Sequence, residues 1–335
     1  GYKVTTLGVQ DPGAPAAKAL ADGVHDWAQV QSRLAGFAAD YPSLCRLETV
    51  GTSLQGRPLL ALCVTDNPGV EEAEPEVRLV GAIHGDEVAG TELCLRLIEH
   101  LLTGYAVDER LRALVDATEI WVMPVMNPDG HAAGSRYSAA GLDLNRSFPD
   151  GALQSIGTLF GGVPMDTAGR PAETVAMMQW SAARNFVLSA TFHTGALVAN
   201  YPYDNDGRGS VASPTPDEDV FRWLAETYSA RNLPMASSPT FPNGITNGAA
   251  WYAIEGGLQD WLYRYLGCFD LTLEISREDR PSGAALEALW ADNREAILAY
   301  LEAAHSGLEG RVIAADSGEP LHASIAVEGR ASMVT

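Results

Sequence analysis

A histidine and a glutamate stand three residues apart in His84-Gly85-Asp86-Glu87, directly after residues 77–83, which are apolar apart from Arg78. Imidazole nitrogen and carboxylate oxygen are the usual donors of catalytic zinc sites, and on one turn the two can face a single ion. The pair alone is weak evidence, because a chain with 7 histidines and abundant glutamate produces it by chance. A third donor is available at His193, which ends a second apolar run, residues 186–192, and precedes Thr194-Gly195. An ordinary hydrogen-bonded histidine at a strand end fits that position too. Two imidazoles and one carboxylate around Zn²⁺ leave a net positive charge and an open position for a water, whose pKa falls toward about 7 in such sites. That chemistry is hydrolytic, and it needs a general base that is not itself a ligand. Glu274, inside Leu271-Thr272-Leu273-Glu274-Ile275, is a carboxylate where burial without purpose is costly. A glutamate paired with a neighbouring cation, or facing solvent from an alternating strand, is the plainer alternative. No Ser, Thr or Cys stands in a G-x-S-x-G or similar setting, which counts against an acyl-enzyme route.

Chemistry at the ends of apolar runs implies strands buried on both faces, with helices between them. Val24, Trp27, Val30, Leu34 and Phe37 recur at intervals of three and four, predicting an amphipathic helix over about residues 23–39, closed by Tyr41-Pro42. Residues 47–50 and 59–64 flank the turn-rich segment 51–56 and predict a hairpin. Residues 77–83, 120–125, 186–192 and 269–275 read as buried strands, and 88–102, 173–184 and 284–304 as helices. Strand and helix alternate, so the class is α/β, with the main domain ending near Ser306-Gly307. Beyond it, residues 310–313 and 322–327, separated by Asp316-Ser317-Gly318-Glu319-Pro320, predict a β-hairpin of different character.

The 335 residues allow one large α/β domain or two ordinary ones. Hydrophobic residues at 46% and charged residues at 19% describe a packed globular chain rather than a disordered one. With 22 Lys and Arg against 43 Asp and Glu, the net charge of −21 repels phosphate backbones and anionic membranes, which argues against nucleic acid as a partner. No stretch reaches the roughly 20 apolar residues of a membrane span, and no basic-then-apolar signal pattern opens the chain. Cys45, Cys63, Cys94 and Cys268 lie too far apart for a zinc ribbon or a redox dithiol. The last three read as small core residues, with one or two bridges left open.

Six motifs converge on a family. His84-Gly85-Asp86-Glu87, Asn127-Pro128-Asp129-Gly130, the run from Asp143 to Pro149, His193 before the run from Val198 to Asp204, Gly256-Gly257-Leu258-Gln259-Asp260, and the run from Leu271 to Ser276 resemble, in this order, the zinc metallocarboxypeptidases, specifically the regulatory subfamily of carboxypeptidases N, E, D and M. The resemblance covers about residues 23–306. It implies a mixed, mostly parallel central β-sheet flanked by helices, preceded by an extension at 1–22. Residues 307–335 resemble the opening of the transthyretin-like β-sandwich that follows the catalytic domain in that subfamily, here cut short.

The resemblance also implies roles. His84, Glu87 and His193 hold one Zn²⁺ per chain, and Glu274 is the base that takes a proton from water and returns it to the leaving amine. Arg136 matches the position that stabilises the carbonyl oxyanion. Arg146, with Asn145 and Tyr252, matches the positions that hold the substrate's terminal carboxylate, where a planar guanidinium gives two parallel hydrogen bonds. Arg57 matches a more remote substrate-contacting arginine, and Asp143 the carboxylate that orients a ligand imidazole, here His84. Asp204 and Gln259 match the positions that line the pocket for the C-terminal side chain. An anionic pocket there favours Lys or Arg, although Asp204 beside Asn205-Asp206-Gly207 also fits a plain turn. The expectation is therefore a zinc exopeptidase acting on peptide or protein C-termini that end in Lys or Arg, monomeric, and extracellular or periplasmic. The alternatives are an amidohydrolase or deacylase of small acylated amino acids on the same fold, and a catalytically silent peptide-binding module. Thr194-Gly195-Ala196 departs from the subfamily's usual Gly-Gly and small residue, placing a β-branch beside the metal, and the Gly-rich segment 151–169 is a candidate flank of the entrance.

Overall fold

A computed structural model of the chain describes residues 23–150, 167–307, 312–321, 325–326 and 333–334. Eight strands, β1 (Cys45–Thr52), β2 (Pro58–Val64), β3 (Glu76–Val80), β4 (Glu119–Met123), β5 (Phe186–His193), β6 (Val198–Tyr201), β7 (Ile245–Asn247) and β8 (Phe269–Glu274), form one sheet in the order β1-β2-β4-β3-β5-β8-β6-β7. The central strands β4, β3, β5 and β8 are mutually parallel. The β1–β2 hairpin adds antiparallel on one side, and β6 meets β8 antiparallel on the other and carries β7 parallel to itself. The sheet is mixed and mostly parallel at its centre, as the resemblance implied.

Among the described residues ten α-helices accompany it: α1 (Trp27–Asp40), α2 (Val88–Gly104), α3 (Glu109–Val115), α4 (Pro128–Ala133), α5 (Ala172–Ala182), α6 (Glu218–Ser229), α7 (Leu233–Ala236), α8 (Gly248–Trp251), α9 (Leu258–Leu266) and α10 (Gly283–Glu302). Successive strand residues point to opposite faces, so each face builds its own core. On one face Val77, Leu79, Ala190 and Leu271 pack with α1, α2, α6 and α10 through residues such as Val30, Ile98, Phe221 and Leu301. On the other, Val80, Trp121 and Met123 pack with α5 and α9 through Met177, Trp261 and Leu262.

Local chemistry sets several boundaries. The first helix begins at Trp27 rather than near Gly23, because Asp26 and Gln29 make a reciprocal capping box, with both hydrogen bonds at 2.8 Å. The third strand ends at Val80, short of the expected residue 83, and residues 81–83 leave the sheet toward His84. Gly85 is required there, since a β-carbon would run into the backbone of Gly130 and His131.

All four cysteines are free and buried, so no bridge forms among them. The tail departs from its expected hairpin. Ile313 bridges Pro320 antiparallel, with Gly318 donating back to Ala314 in a tight turn, so the first return arm is 320–321 rather than 322–327. Ile325–Ala326 pairs instead with Met333–Val334. The extension 1–22 and residues 151–166 of the Gly-rich segment lie outside the described residues.

Candidate metal centre and substrate pocket

Strands β3, β5 and β8 are neighbours and parallel, so the chain leaves all three at the same rim of the sheet. His84 and Glu87 come from the β3–α2 turn. His193 ends β5 and lies in register with Glu274, the last residue of β8. His84 Nδ1 is 2.7 Å from Glu87 Oε1, and His193 Nδ1 is 3.1 Å from Glu87 Oε2. The other nitrogen of His84 faces Asp143 Oδ1 at 3.1 Å. Burial would push the Glu87 carboxyl up, but the two imidazoles outweigh it and hold it well below the usual carboxylate range. Asp143 is likewise held low, against burial, by His84 and then Arg136. Burial pushes Glu274 well up, the Glu87 charge adds to it, and Glu274 Oε2 has no hydrogen-bond partner among the described residues.

These side chains open into a pocket of about 480 Å³, lined also by Arg136, Asn145, Arg146, Thr194, Asn200, Asp204, Tyr252, Ile254 and Thr272.

The donor set fits a zinc ion. His84, Glu87 and His193 are all buried, and their donor atoms lie within 4.8 Å of one another. His84 has a carboxylate at each ring nitrogen, so a ring carrying one proton turns a bare lone pair toward one of them. A divalent cation held by both histidines and the Glu87 carboxylate would remove that conflict and leave Asp143 to accept a ring N–H of His84.

Residues 30–296 match the zinc carboxypeptidase family. The chain belongs to that family. It is 40% identical over 324 residues to carboxypeptidase D of Anas platyrhynchos, covering 90% of this chain but 22% of that protein. It is 38% identical over 327 residues to carboxypeptidase M of Mus musculus, covering 92% and 71% respectively. The chain thus spans about a fifth of the carboxypeptidase D relatives it matches. Among solved structures, carboxypeptidase A from Helicoverpa armigera superposes with a TM-score of 0.68 over 84% of this chain and 74% of that one, at 19% identity. The fold is that of the metallocarboxypeptidases, and the family is zinc-dependent.

Within this carboxypeptidase fold the other expected residues divide into two groups. Arg136, Asn145, Arg146, Asp204 and Tyr252 line the pocket with the metal donors and Glu274. Arg146 Nη1 donates to the carbonyl of Asn145 at 2.7 Å, and no carboxylate among the described residues pairs with it. Arg136 forks onto Asp143 Oδ2 through Nε and Nη2, at 3.0 and 2.9 Å, which leaves Nη1 beside His84. The Tyr252 side chain is 44% exposed, at the mouth.

Gln259 and Arg57 are not in the lining. The Thr272 N–H donates to Gln259 Oε1 at 3.0 Å, which turns the amide NH₂ onto Asp204 Oδ1 at 2.7 Å, so Gln259 lies beneath Asp204 and acts through it. Arg57 is drawn away by Asp129 at 2.7 Å and by Gln55.

Sequence reasoning missed two contacts. The Thr194 hydroxyl donates to Asp279 Oδ1 at 2.7 Å while the Thr194 N–H donates to Glu87 Oε2 at 3.1 Å, so the β-branch is tied to the loop after β8. Asp260 accepts backbone N–H groups from Asp204 and Asn205. The only sequence signal for it was its place at the end of the Gly256–Asp260 motif.

Proposed function

We propose that this chain is a zinc-dependent carboxypeptidase that releases C-terminal Lys or Arg, with residues 23–306 as the catalytic unit and 307–335 as the start of a β domain. The observation that carries the specificity is Asp204. Asp204 lines the pocket at 4% exposure; among the described residues its carboxylate is bound by the neutral amides of Gln259 and Asn200, and no Lys or Arg makes an ion pair with it. Burial first of all pushes its carboxyl up to about 7. A substrate guanidinium or ammonium is the counter-ion this pocket lacks, whereas an apolar side chain leaves the charge buried and unpaired.

The rest of the pocket supports exopeptidase action. The unpaired Arg146 guanidinium suits a terminal carboxylate, with Asn145 and Tyr252 beside it. A chain continuing past the scissile residue offers Arg146 no charge to pair with. Arg136, already oriented by Asp143, keeps Nη1 beside the metal donors, within the pocket where a guanidinium can stabilise a developing oxyanion. Zinc held by His84, Glu87 and His193 supplies a Lewis acid that polarises the scissile carbonyl and acidifies a water. Glu274, buried and with a free oxygen, accepts the proton of the attacking water and delivers it to the leaving amine. A monomeric state and an extracellular or periplasmic location belong to the same proposal.

The test is zinc content together with hydrolysis of blocked dipeptides ending in Arg, Lys or Phe, with and without a chelator. Release of Arg and Lys, abolished by the chelator, is expected. Release of Phe but not Arg refutes the pocket assignment, and bound zinc with no turnover on any peptide refutes the enzyme.

A further inference from the structure

Asp204 is gripped from one side by two consecutive residues in the first turn of α9. Gln259 holds its carboxylate, and Asp260 holds its backbone: the Asp204 N–H donates to Asp260 Oδ1 and Oδ2 at 2.8 and 3.0 Å, and the Asn205 N–H reaches Oδ2 at 3.3 Å. The other side of the residue is fixed as well. Its carbonyl accepts from Ile254 at 3.2 Å, and a β-carbon on Gly248 or Gly257 would press on its carboxylate oxygens, so the side chain has a glycine-walled slot and a single direction in which to point. Asp260 does not line the pocket. It nonetheless places a second carboxyl group directly behind the first. Asp204 makes no ion pair with a cation among the described residues, and burial, then the neighbouring Asp204, push the Asp260 carboxyl well above the ordinary carboxylate range.

We infer that Asp260 is a specificity-positioning residue: it clamps the 204–205 backbone and thereby fixes the Asp204 carboxylate in the pocket, so that discrimination between cationic and neutral C-terminal side chains depends on it. Both carboxyl oxygens of Asp260 accept from these N–H groups, whereas an asparagine presents an NH₂ against one of them. The inference rests on the proposed role of Asp204 in selecting Lys and Arg.

The experiment compares the parent, Asp260→Asn, Asp260→Ser, Asp204→Asn and the Asp204→Asn/Asp260→Asn double variant on peptides that differ only in a terminal Arg, Lys or Leu, with kcat and KM resolved and folding checked by thermal melting. Asp260→Ser keeps one acceptor but not the two-oxygen clamp, and it serves if the asparagine variant does not fold. We expect Arg-over-Leu selectivity to fall by about 10-fold or more in the single Asp260 variants, mostly through KM for Arg and Lys peptides. In the Asp204→Asn background the second substitution should change selectivity no further. Equal losses on all three termini, or full additivity in the double variant, overturn the inference by showing a general structural role. A parent without Arg or Lys preference removes the reading of Asp204 and this inference together. A parent preference that survives in Asp260→Asn overturns the inference alone.

Discussion

Replacing Asp204 by Asn should trade selectivity for stability, and both changes can be sized. Burial, resisted by Asn200, Arg146 and Gln259, puts the Asp204 carboxyl at about 7, against an ordinary 3.8. A raised folded-state pKa means that the folded protein keeps its full stability below the unfolded value and loses it as pH climbs through the folded one. At about 1.4 kcal/mol per pKa unit, ionising Asp204 costs the fold on the order of 2–4 kcal/mol at pH 8, part of it shared with Asp260. The asparagine variant, isosteric and uncharged, should escape that cost. Denaturant melts should therefore show it more stable than the parent at pH 8 and equal to it near pH 4. Activity should move the other way. Losing one partner of a buried charge pair costs about 2–5 kcal/mol, which is at least ~30-fold in kcat/KM for Arg-ended peptides. A variant that is less stable at pH 8, or one that still prefers Arg as strongly as the parent, would refute the claim that a buried, uncompensated charge makes the specificity.

Three further outcomes follow from the same geometry. Glu274→Gln should lower kcat by about 10²–10⁴-fold while zinc content, measured by atomic absorption, stays at the parent level; loss of zinc would mean that Glu274 holds the metal rather than the proton. Arg146→Lys, which keeps the charge but not the planar fork, should lower kcat/KM by roughly 10-fold or more on free C-termini, and C-terminally amidated peptides should resist the parent; cleavage of both forms alike would remove Arg146 from carboxylate recognition. Thr194→Val should weaken zinc binding by about 10-fold in competition with a chelating dye, and Thr194→Ser should restore it, because the hydroxyl bond to Asp279 holds the segment whose N–H steadies Glu87; identical affinities for the two variants would make the bond incidental.

The sequence showed most of the long, periodic parts of the fold and the donors at strand ends, but the 12-residue α6, with Phe221, Leu224, Ala225 and Tyr228 buried at helical spacing, was missed. The two β-hairpin arms, four central strands and the helices over 27–40, 88–104, 172–182 and 283–302 carry enough apolar repeats to be read directly. Strands of three or four residues such as β6 and β7 offer no period, and α3, α4 and α9 are short enough that their patterns merge with the neighbouring loops. The distinction between residues that face the pocket and residues that stand behind it was invisible for a different reason. Gln259 lies beneath Asp204 because a backbone N–H of β8 turns its amide, and Arg57 is captured by Asp129, 72 positions away. Asp260 acts on a peptide N–H rather than a side chain, and such a bond leaves no pattern in residue types.

The four thiols are sealed inside the molecule and unpaired, and burial pushes Cys45 up to about 11 and the other three higher still. Alkylating reagents and oxidants therefore meet almost no thiolate in the native state. The described fold holds no covalent cross-link whose breaking would loosen it, so it should mature equally well under reducing or oxidising conditions. A phosphine reductant should leave its melting temperature unmoved, and iodoacetamide labelling of the cysteines should begin only when the chain opens, which makes their modification a clock for unfolding.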